Sequence, residues 1–447
     1  MTATRPAQPL AAVPGPQPAD MLREARRMIR DPLGYLGDVV TRYGPVVSFP
    51  MPRTPVLLVN SPAAARRVLV DNHRAYGKRT IQYDTLALVT GQGLLVSDPP
   101  EWMSHRRMVQ PAFHRDSLGG VGRHTVDAAR RALATWDGLP AGSVVDVDAA
   151  MMRASLEVVG SALFSTDLSG DATRIVDAVL AALDRVVVRA RSPWLPPPSV
   201  PTPGNLRLRR ALRTIDEAVA AMVAARSAAD PGDDVLGMLL RARDEAGLDD
   251  TAVRDEVVTL LVAGHETVAS SLTWTLDLLA RHPDAQERLA AEVTALPADP
   301  DAADLPRLPW TRAVVDEALR LYPPAWVVTR RALQDDEVCG YTVPAGSVVL
   351  VSPYTVHRDR AVWPDPERFD PHRFLGGAPA RGTYLPFGAG PRLCIGREFA
   401  LVESVLVLGT LARRYTVEPV PGPPARVDAL VTLRPHGGLP LRLNRRV

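Results

Sequence analysis

The sequence predicts a mainly α-helical chain with smaller β-sheets, an α+β fold in a single domain. Three observations predict it. Helical periodicity runs through most of 101–245. A further helical stretch, 249–281, is long enough to span about 50 Å at the helical rise. Strand-like patterning is confined to 46–59, to the stretch after Val327 and to the tail 414–447. No repeat, low-complexity block or change of composition marks a second domain.

Residues 1–18 carry Pro6, Pro9, Pro14, Pro16 and Pro18 and read as a loose arm. Ala19 to Tyr43 is helical but broken at Pro32, because proline lacks the amide donor that a helix interior needs. Residues 46–59 read as strands around a Pro-rich turn, and 61–72 as a helix. The stretch 79–100 is predicted to be irregular, with Gly91, Gly93 and Pro99-Pro100 closing it. The helices of 101–245 are interrupted by a proline run from Ser192 to Gly204, a stiff connector. For the long helix, Asp249 and Asp250 offer an N-cap and His282-Pro283 a stop. Helices are expected again at 284–296, 310–322 and 395–413. After Val327, turns at Cys339-Gly340 and Pro344-Ala345-Gly346 separate strands, and 353–393 shows little periodicity.

Apolar residues at 46% and charged residues at 23% exclude a disordered or fibrous chain. Lys+Arg is 52 and Asp+Glu 50, a net charge of +2, so nucleic-acid binding has no bulk electrostatic support. Lys78 is the one lysine among those basic residues. The two cysteines, Cys339 and Cys394, form no CxxC, which excludes a disulfide framework and a Cys-based zinc site and fits a reducing cytoplasm. No uncharged apolar run of about 18 residues predicts a membrane span. The start lacks the basic-then-apolar pattern of a secretory signal.

The most informative run is Phe387-Gly388-Ala389-Gly390-Pro391-Arg392-Leu393-Cys394-Ile395-Gly396. A cysteine on a Gly-flanked loop just before a helix can present a thiolate to a metal. The glycines allow backbone geometry closed to other residues, and backbone N–H groups can then approach the sulfur. The N-terminus of the following helix lowers the thiol pKa. Arg392 offers a positive charge to an anionic cofactor edge.

This run matches FxxGxRxCxG and resembles the haem-binding loop of the cytochrome P-450 family of haem-thiolate monooxygenases. The resemblance covers residues 30 to 445 and implies haem b with Cys394 as axial thiolate. It places the haem between the long central helix and the Cys-loop helix, with 19–447 as one monooxygenase domain. Phe387, Arg392 and Gly396 then belong to the cofactor site. Trp102 and Arg106, at i and i+4 on one helix face, are similar to the family's WxxxR grip on a haem propionate, with His105 beside them. Arg330 matches the next propionate-binding arginine, with Arg331 as its rival by one position. Glu317 and Arg320 resemble the ExxR pair, and with Arg373 of the Phe369–Phe374 segment they imply a structural triad that pins the Cys loop. Ala263-Gly264-His265-Glu266-Thr267 resembles the oxygen-activation motif, which makes Thr267, Glu266 and Gly264 the catalytic set. There Gly264 and the Thr267 hydroxyl are expected to let the helix open locally, with Glu266 leading to solvent. A zinc-protease HExxH fails here, because position 269 is Ala269.

The family's chemistry implies insertion of one oxygen atom of O2 into a lipophilic small molecule, such as a terpenoid, a fatty acid or a polyketide. The implied pocket includes Ala263, Trp326, Val327, Val328, Leu430 and Val431, mostly apolar. Electrons are expected from an external ferredoxin or flavodoxin with its reductase, docking near Arg381, Arg392 and Arg397 on a cytoplasmic monomer. Rival readings are a haem-thiolate peroxygenase or isomerase, and a non-catalytic haem sensor. The Glu266-Thr267 pair favours O2 chemistry, since peroxide use needs no proton relay.

Overall fold

The computed structural model describes residues 8–114, 118–192, 194–226, 232–377 and 379–446. Residues 1–7 of the expected arm and Pro193 of the connector lie outside them; the rest of the arm is packed and not loose, with Gln8 bridged to Tyr341, Val13 buried and Pro18 opening helix Pro18–Arg30. The chain groups into two compact units, each discontinuous in sequence.

The first unit comprises 1–84, 320–368 and 377–394. Its centre is a five-stranded sheet in the order Val46–Phe49, Val56–Val59, Val348–Val351, Val328–Ala332, Tyr76–Gly77. Val56–Val59 pairs with Val348–Val351 in parallel, and the other neighbours are antiparallel. Leu57, Val59, Val349 and Val351 fill one core cluster of this unit. Leu58 and Val47 face the other side, against helix Pro32–Tyr43 through Tyr35, Leu36 and Val39. That two-faced burial is what alternating side chains on a strand require. The turn read at Cys339-Gly340 joins strands Asp336–Val338 and Tyr341–Val343. Both turn residues have positive φ, 51° and 81°, as a two-residue hairpin loop demands.

The second unit comprises 85–319, 369–376 and 395–447. Its axis is helix Asp250–Arg281, capped as expected by Asp249, whose carboxylate accepts from the Ala252 amide at 2.7 Å. Of its 32 residues 24 are buried, so it is a core helix rather than an amphipathic surface one. It tolerates buried hydroxyls because they bond back to its own carbonyls: Thr273 donates to Ala269 O and Thr275 to Ser271 O. Helix Val147–Phe164 packs along it. Helix Arg397–Ala412 follows the Cys loop, and Tyr415–Pro419 pairs with Pro440–Arg445.

Three further expectations are corrected. Residues 81–90, expected to be irregular, form helix Ile81–Thr90. Its apolar residues follow no single face, so periodicity does not reveal it. Long-range bonds fix its start: Gln82 Oε1 accepts from Thr329 N and Oγ1, at 3.1 and 2.8 Å. Residues Val144–Asp146, inside the stretch read as helical, form an edge strand paired with Pro440–Arg445. The long helix runs without interruption through 263–267. Gly264 serves close helix packing there: a Cβ would stand 2.9 Å from Val159 Cγ2.

The glycines read as closing the stretch 79–100 have a specific cause. Gly91 has φ +61°, and a Cβ on it would lie 1.9–2.0 Å from the Asp255 carboxylate atoms. That carboxylate is held in place, accepting from the Gln92 amide at 2.7 Å. Gly91→Ala is expected to cost about 2 kcal/mol or more, from the left-handed backbone and the overlap together. A urea melt checks it; an unchanged midpoint would show that Asp255 can move aside.

Candidate functional site

Within the first unit, the Cys394 loop is built by short backbone bonds. Gly388 N donates to Leu385 O, Leu393 N to Gly390 O and Cys394 N to Phe387 O, each at 3.0 Å. Gly388 and Gly390 have φ +73° and +70°. At Gly390 a Cβ would fall 2.0 Å from Leu69 O, so no other residue fits that turn. The loop ends with Cys394 exposed, three residues before helix Arg397–Ala412, whose N-cap Gly396 offers no side-chain cap. Phe387 and Arg392 are half-buried on the loop.

The strand Val328–Ala332 separates the two rival arginines. Arg330 is buried, and its Nη1 donates to Tyr83 Oη at 3.2 Å and to Thr329 O at 2.8 Å. Arg331, on the opposite face, is exposed. Arg320 is fully buried and donates to the carbonyls of His357, Pro366 and Arg368. His357, which the sequence did not single out, completes this arrangement. Its Nδ1 lies 3.1 Å from Arg320 O, and its Nε2 accepts from Leu385 N at 2.7 Å. Burial pushes its pKa down to about 3, so it is neutral. Of the expected pocket residues here, Trp326 and Val328 pack against the unit's two core clusters, and Val327 is half-buried.

Within the second unit, Trp102 and Arg106 share a face of helix Glu101–Val109, the guanidinium 5.8 Å from the indole ring centroid. His105 turns elsewhere. Its Nδ1 lies 2.6 Å from Oε1 of the fully buried Glu256, which raises the imidazole pKa. His105 therefore ties its helix to the long helix, a pairing with no local signature in the sequence. Glu317 accepts from the Asp370 amide at 2.8 Å, and Arg373 Nε lies 3.4 Å from the same oxygen. Arg397 pairs with neighbouring Glu398.

The central pair diverges as adjacent helical residues must. Thr267 is half-buried and donates its hydroxyl proton to Ala263 O at 2.8 Å. Ala263 is half-buried beside it. Glu266 does not lead to solvent, as the sequence suggested. It is 3% exposed and accepts from Thr432 Oγ1 at 3.0 Å. Thr432 follows Leu430 and Val431, both half-buried, on the turn before Leu433–Pro435. Burial pushes the Glu266 pKa up to about 7, against the pull of the Arg434 charge and the Thr432 bond. Arg434 is itself paired with Asp148. His265, buried with Nδ1 3.0 Å from Leu261 O, is pushed down to about 4 and is neutral.

The donor set suits haem. An exposed thiol on a loop where Gly390 admits no side chain can serve as a soft ligand to a transition metal. The arginine and indole donors suit carboxylates. Among the described residues no cluster of three His, Cys, Asp or Glu side chains offers a rival metal site.

Comparison with known proteins agrees. The family model for cytochrome P-450 matches residues 22–439. Cyclooctat-9-en-7-ol 5-monooxygenase of Streptomyces melanosporofaciens is 36% identical, covering 93% of this chain and 92% of the relative. Pentalenene oxygenase of Streptomyces avermitilis is 34% identical over 97% of each chain. The crystal structure of CYP175A1 from Thermus thermophilus superposes with a TM-score of 0.80 at 33% identity, over 96% of this chain and all of that one. Members carry haem with a cysteine thiolate as axial ligand and incorporate oxygen from O2. This chain belongs to the cytochrome P-450 family of haem-thiolate monooxygenases.

Proposed function

We propose that the chain inserts one oxygen atom of O2 into a cyclic terpenoid, with electrons from a ferredoxin or flavodoxin and its reductase. The observation that carries the substrate class is the likeness, along nine-tenths or more of each chain, to the two oxygenases named for cyclooctat-9-en-7-ol and pentalenene. A half-buried apolar lining from Ala263, Leu430 and Val431 suits such a molecule.

Cys394 Sγ would hold the haem as a thiolate, and the indole of Trp102 and the guanidinium groups of Arg106, Arg330 and Arg392 are donors of the kind that its carboxylates would accept from. When bound, haem supplies the iron centre at which O2 is bound and its O–O bond is split. The rest falls to the chain. With its proton given to Ala263 O, Thr267 Oγ1 keeps two lone pairs, so it can hold a water by accepting its hydrogen bond. Glu266, poised near neutrality and anchored by Thr432, can give up or take a proton at its carboxyl.

Positioned proton donors are worth about 10²–10⁴-fold in rate. Thr267→Ala is accordingly expected to keep haem and substrate binding but lower product formed per NAD(P)H by about tenfold or more. The lost equivalents should emerge as hydrogen peroxide, and peroxide-driven turnover should survive. In Glu266→Gln the pH dependence of coupling near 7 should vanish. The sign for stability follows from a raised carboxyl pKa. The folded state holds the proton more tightly, so stability falls as pH rises from 4.5 to about 7, and the glutamine variant lacks that slope. Unchanged coupling in Thr267→Ala would place the proton path elsewhere. The substrate class is tested by titrating the holoprotein with cyclic terpenoids, fatty acids and macrolide precursors. A Soret shift with the last two and none with terpenoids would overturn it.

A further inference from the structure

Near its start the long helix gathers three other segments over a single turn. Arg254 donates through Nη1 to Val89 O at 3.1 Å and pairs with Asp216 of helix Pro203–Ala225 at 2.7 Å. Asp255 accepts from the Gln92 amide at 2.7 Å. Glu256 meets His105 of helix Glu101–Val109. This last contact takes no part in oxygen activation, and three observations single it out.

The first is burial. Glu256 is fully buried, its Oε1 stands 2.6 Å from His105 Nδ1, and its Oε2 has no hydrogen-bond partner among the described residues. A carboxylate so removed from water stays charged only beside a cation, and His105 is the cation there. The second is the helix that carries His105. It has nine residues and no side-chain N-cap, and a helix so short takes its position from tertiary contacts. The third is direction. His105 precedes Arg106 and so points about 100° round the helix from it. A tie on that side stops the helix from rolling about its axis, and rolling is the motion that swings Trp102 and Arg106 together.

We propose that Glu256 is a positioning residue for the haem: through His105 it fixes the roll of the helix that presents Trp102 and Arg106. The proposal rests on the reading of those two side chains as donors to the haem carboxylates. His105, expected from the sequence to touch the cofactor, acts at one remove from it. The tie also depends on a proton. Contact with Glu256 raises the His105 pKa against desolvation, and Glu101 and Asp255 add to the rise. Glu101 is exposed on the same helix, and Asp255 is already engaged by Arg254 and by the Gln92 amide. Helix Val235–Ala246 packs on this helix as well. There Arg243 pairs with Asp244, Arg241 donates to Gly232 O, and Glu245 is exposed. Glu256 therefore decides the charge of His105. With a raised imidazole pKa, the contribution of the pair is complete below pH 6.5 and is lost as pH rises through the folded-state value.

The test follows haem transfer from the holoprotein to excess apomyoglobin. In the parent, transfer should quicken as pH rises from about 6 to about 9. Glu256→Gln should be about tenfold or more faster at the lower pH, the scale on which losing an outer partner of a ligand-holding group is felt, and should lack the slope. Glu256→Gln combined with His105→Gln should return close to the parent's slow rate and hold it across the range, because two amides bond each other without charge. The resonance Raman band of the haem carboxylates should shift in Glu256→Gln in the same sense as in Arg106→Gln. A helix that merely loses stability melts earlier without moving that band. Parent-like transfer and band position in Glu256→Gln, alongside faster transfer in Arg106→Gln, overturn the proposal. So does a band that stays in place while the Glu256 variant loses haem. Arg106→Gln with parent-like transfer overturns the donor reading itself and the proposal with it, so the two failures are told apart. None of these readouts depends on the terpenoid reading, which stands or falls on the Soret titration.

Discussion

Cys394→Ser is expected to abolish the red-shifted Soret band of the reduced, carbon monoxide-bound protein while the polypeptide stays folded. The separation of those two effects follows from how the loop is built. Its shape is set by backbone bonds, Cys394 N to Phe387 O and Gly388 N to Leu385 O, that need no sulfur. Its glycine geometry depends on Gly388 and Gly390, which the variant leaves alone. The side chain is exposed, so exchanging sulfur for the smaller oxygen opens no cavity in a core. What is lost is the thiolate, whose electron donation distinguishes this ligation from that of an oxygen or nitrogen ligand. Cys339→Ser is the matched control. That residue occupies a hairpin turn with its sulfur 3.6 Å from the Ser61 hydroxyl, and its variant should retain the band in full. The carbon monoxide difference spectrum decides, with circular dichroism to show that both variants fold. Persistence of the band in Cys394→Ser would remove this residue as the ligand.

The parts of this molecule that were legible in the sequence are those whose signals are local. The helix Asp250–Arg281 announced its ends through Asp249 and His282-Pro283, and the Cys loop through Gly388 and Gly390, both at positive φ. The hairpin turn at Cys339-Gly340 is likewise written in two adjacent residues. What escaped depends on partners far away in the chain. Helix Ile81–Thr90 is anchored by Thr329, more than two hundred residues on. His105 meets Glu256 on another helix, and the environment of Glu266 comes from Thr432 and Arg434 near the C-terminus. Motif resemblance singled out Glu266 but gave it the wrong surroundings, because burial is a property of the packed unit. The choice between Arg330 and Arg331 was open for a similar reason. A one-residue shift on a strand exchanges inside for outside, and only the register with Val348–Val351 fixes which is which.

Arg320→Ala is expected to give little haem-loaded protein, with what survives melting about 3–5 °C lower, given about 1 °C per kcal/mol for a chain of this length. The guanidinium is fully buried and serves three carbonyls on the 357–368 stretch, those of His357, Pro366 and Arg368. It also lies over the Trp363 ring at 5.3 Å. Alanine leaves those carbonyls facing a void, and an unpaired buried acceptor costs about 1–3 kcal/mol. His357 couples the damage to the region that leads to the Cys loop, since the same imidazole bonds Arg320 O and the amide of Leu385. Three buried acceptors left unpaired together cost about 3–5 kcal/mol, a large share of the total stability of about 5–15 kcal/mol. Arg320→Lys should rescue little, because an ammonium on a flexible stem cannot reproduce a planar fork aimed at three fixed oxygens. His357→Gln should fall between the parent and Arg320→Ala, since an amide retains one donor and one acceptor. The measurements are haem per polypeptide in purified protein and the melting midpoint. An Arg320→Ala variant that is fully loaded, melts like the parent and lacks only turnover would make this arginine part of the chemistry and not of the scaffold.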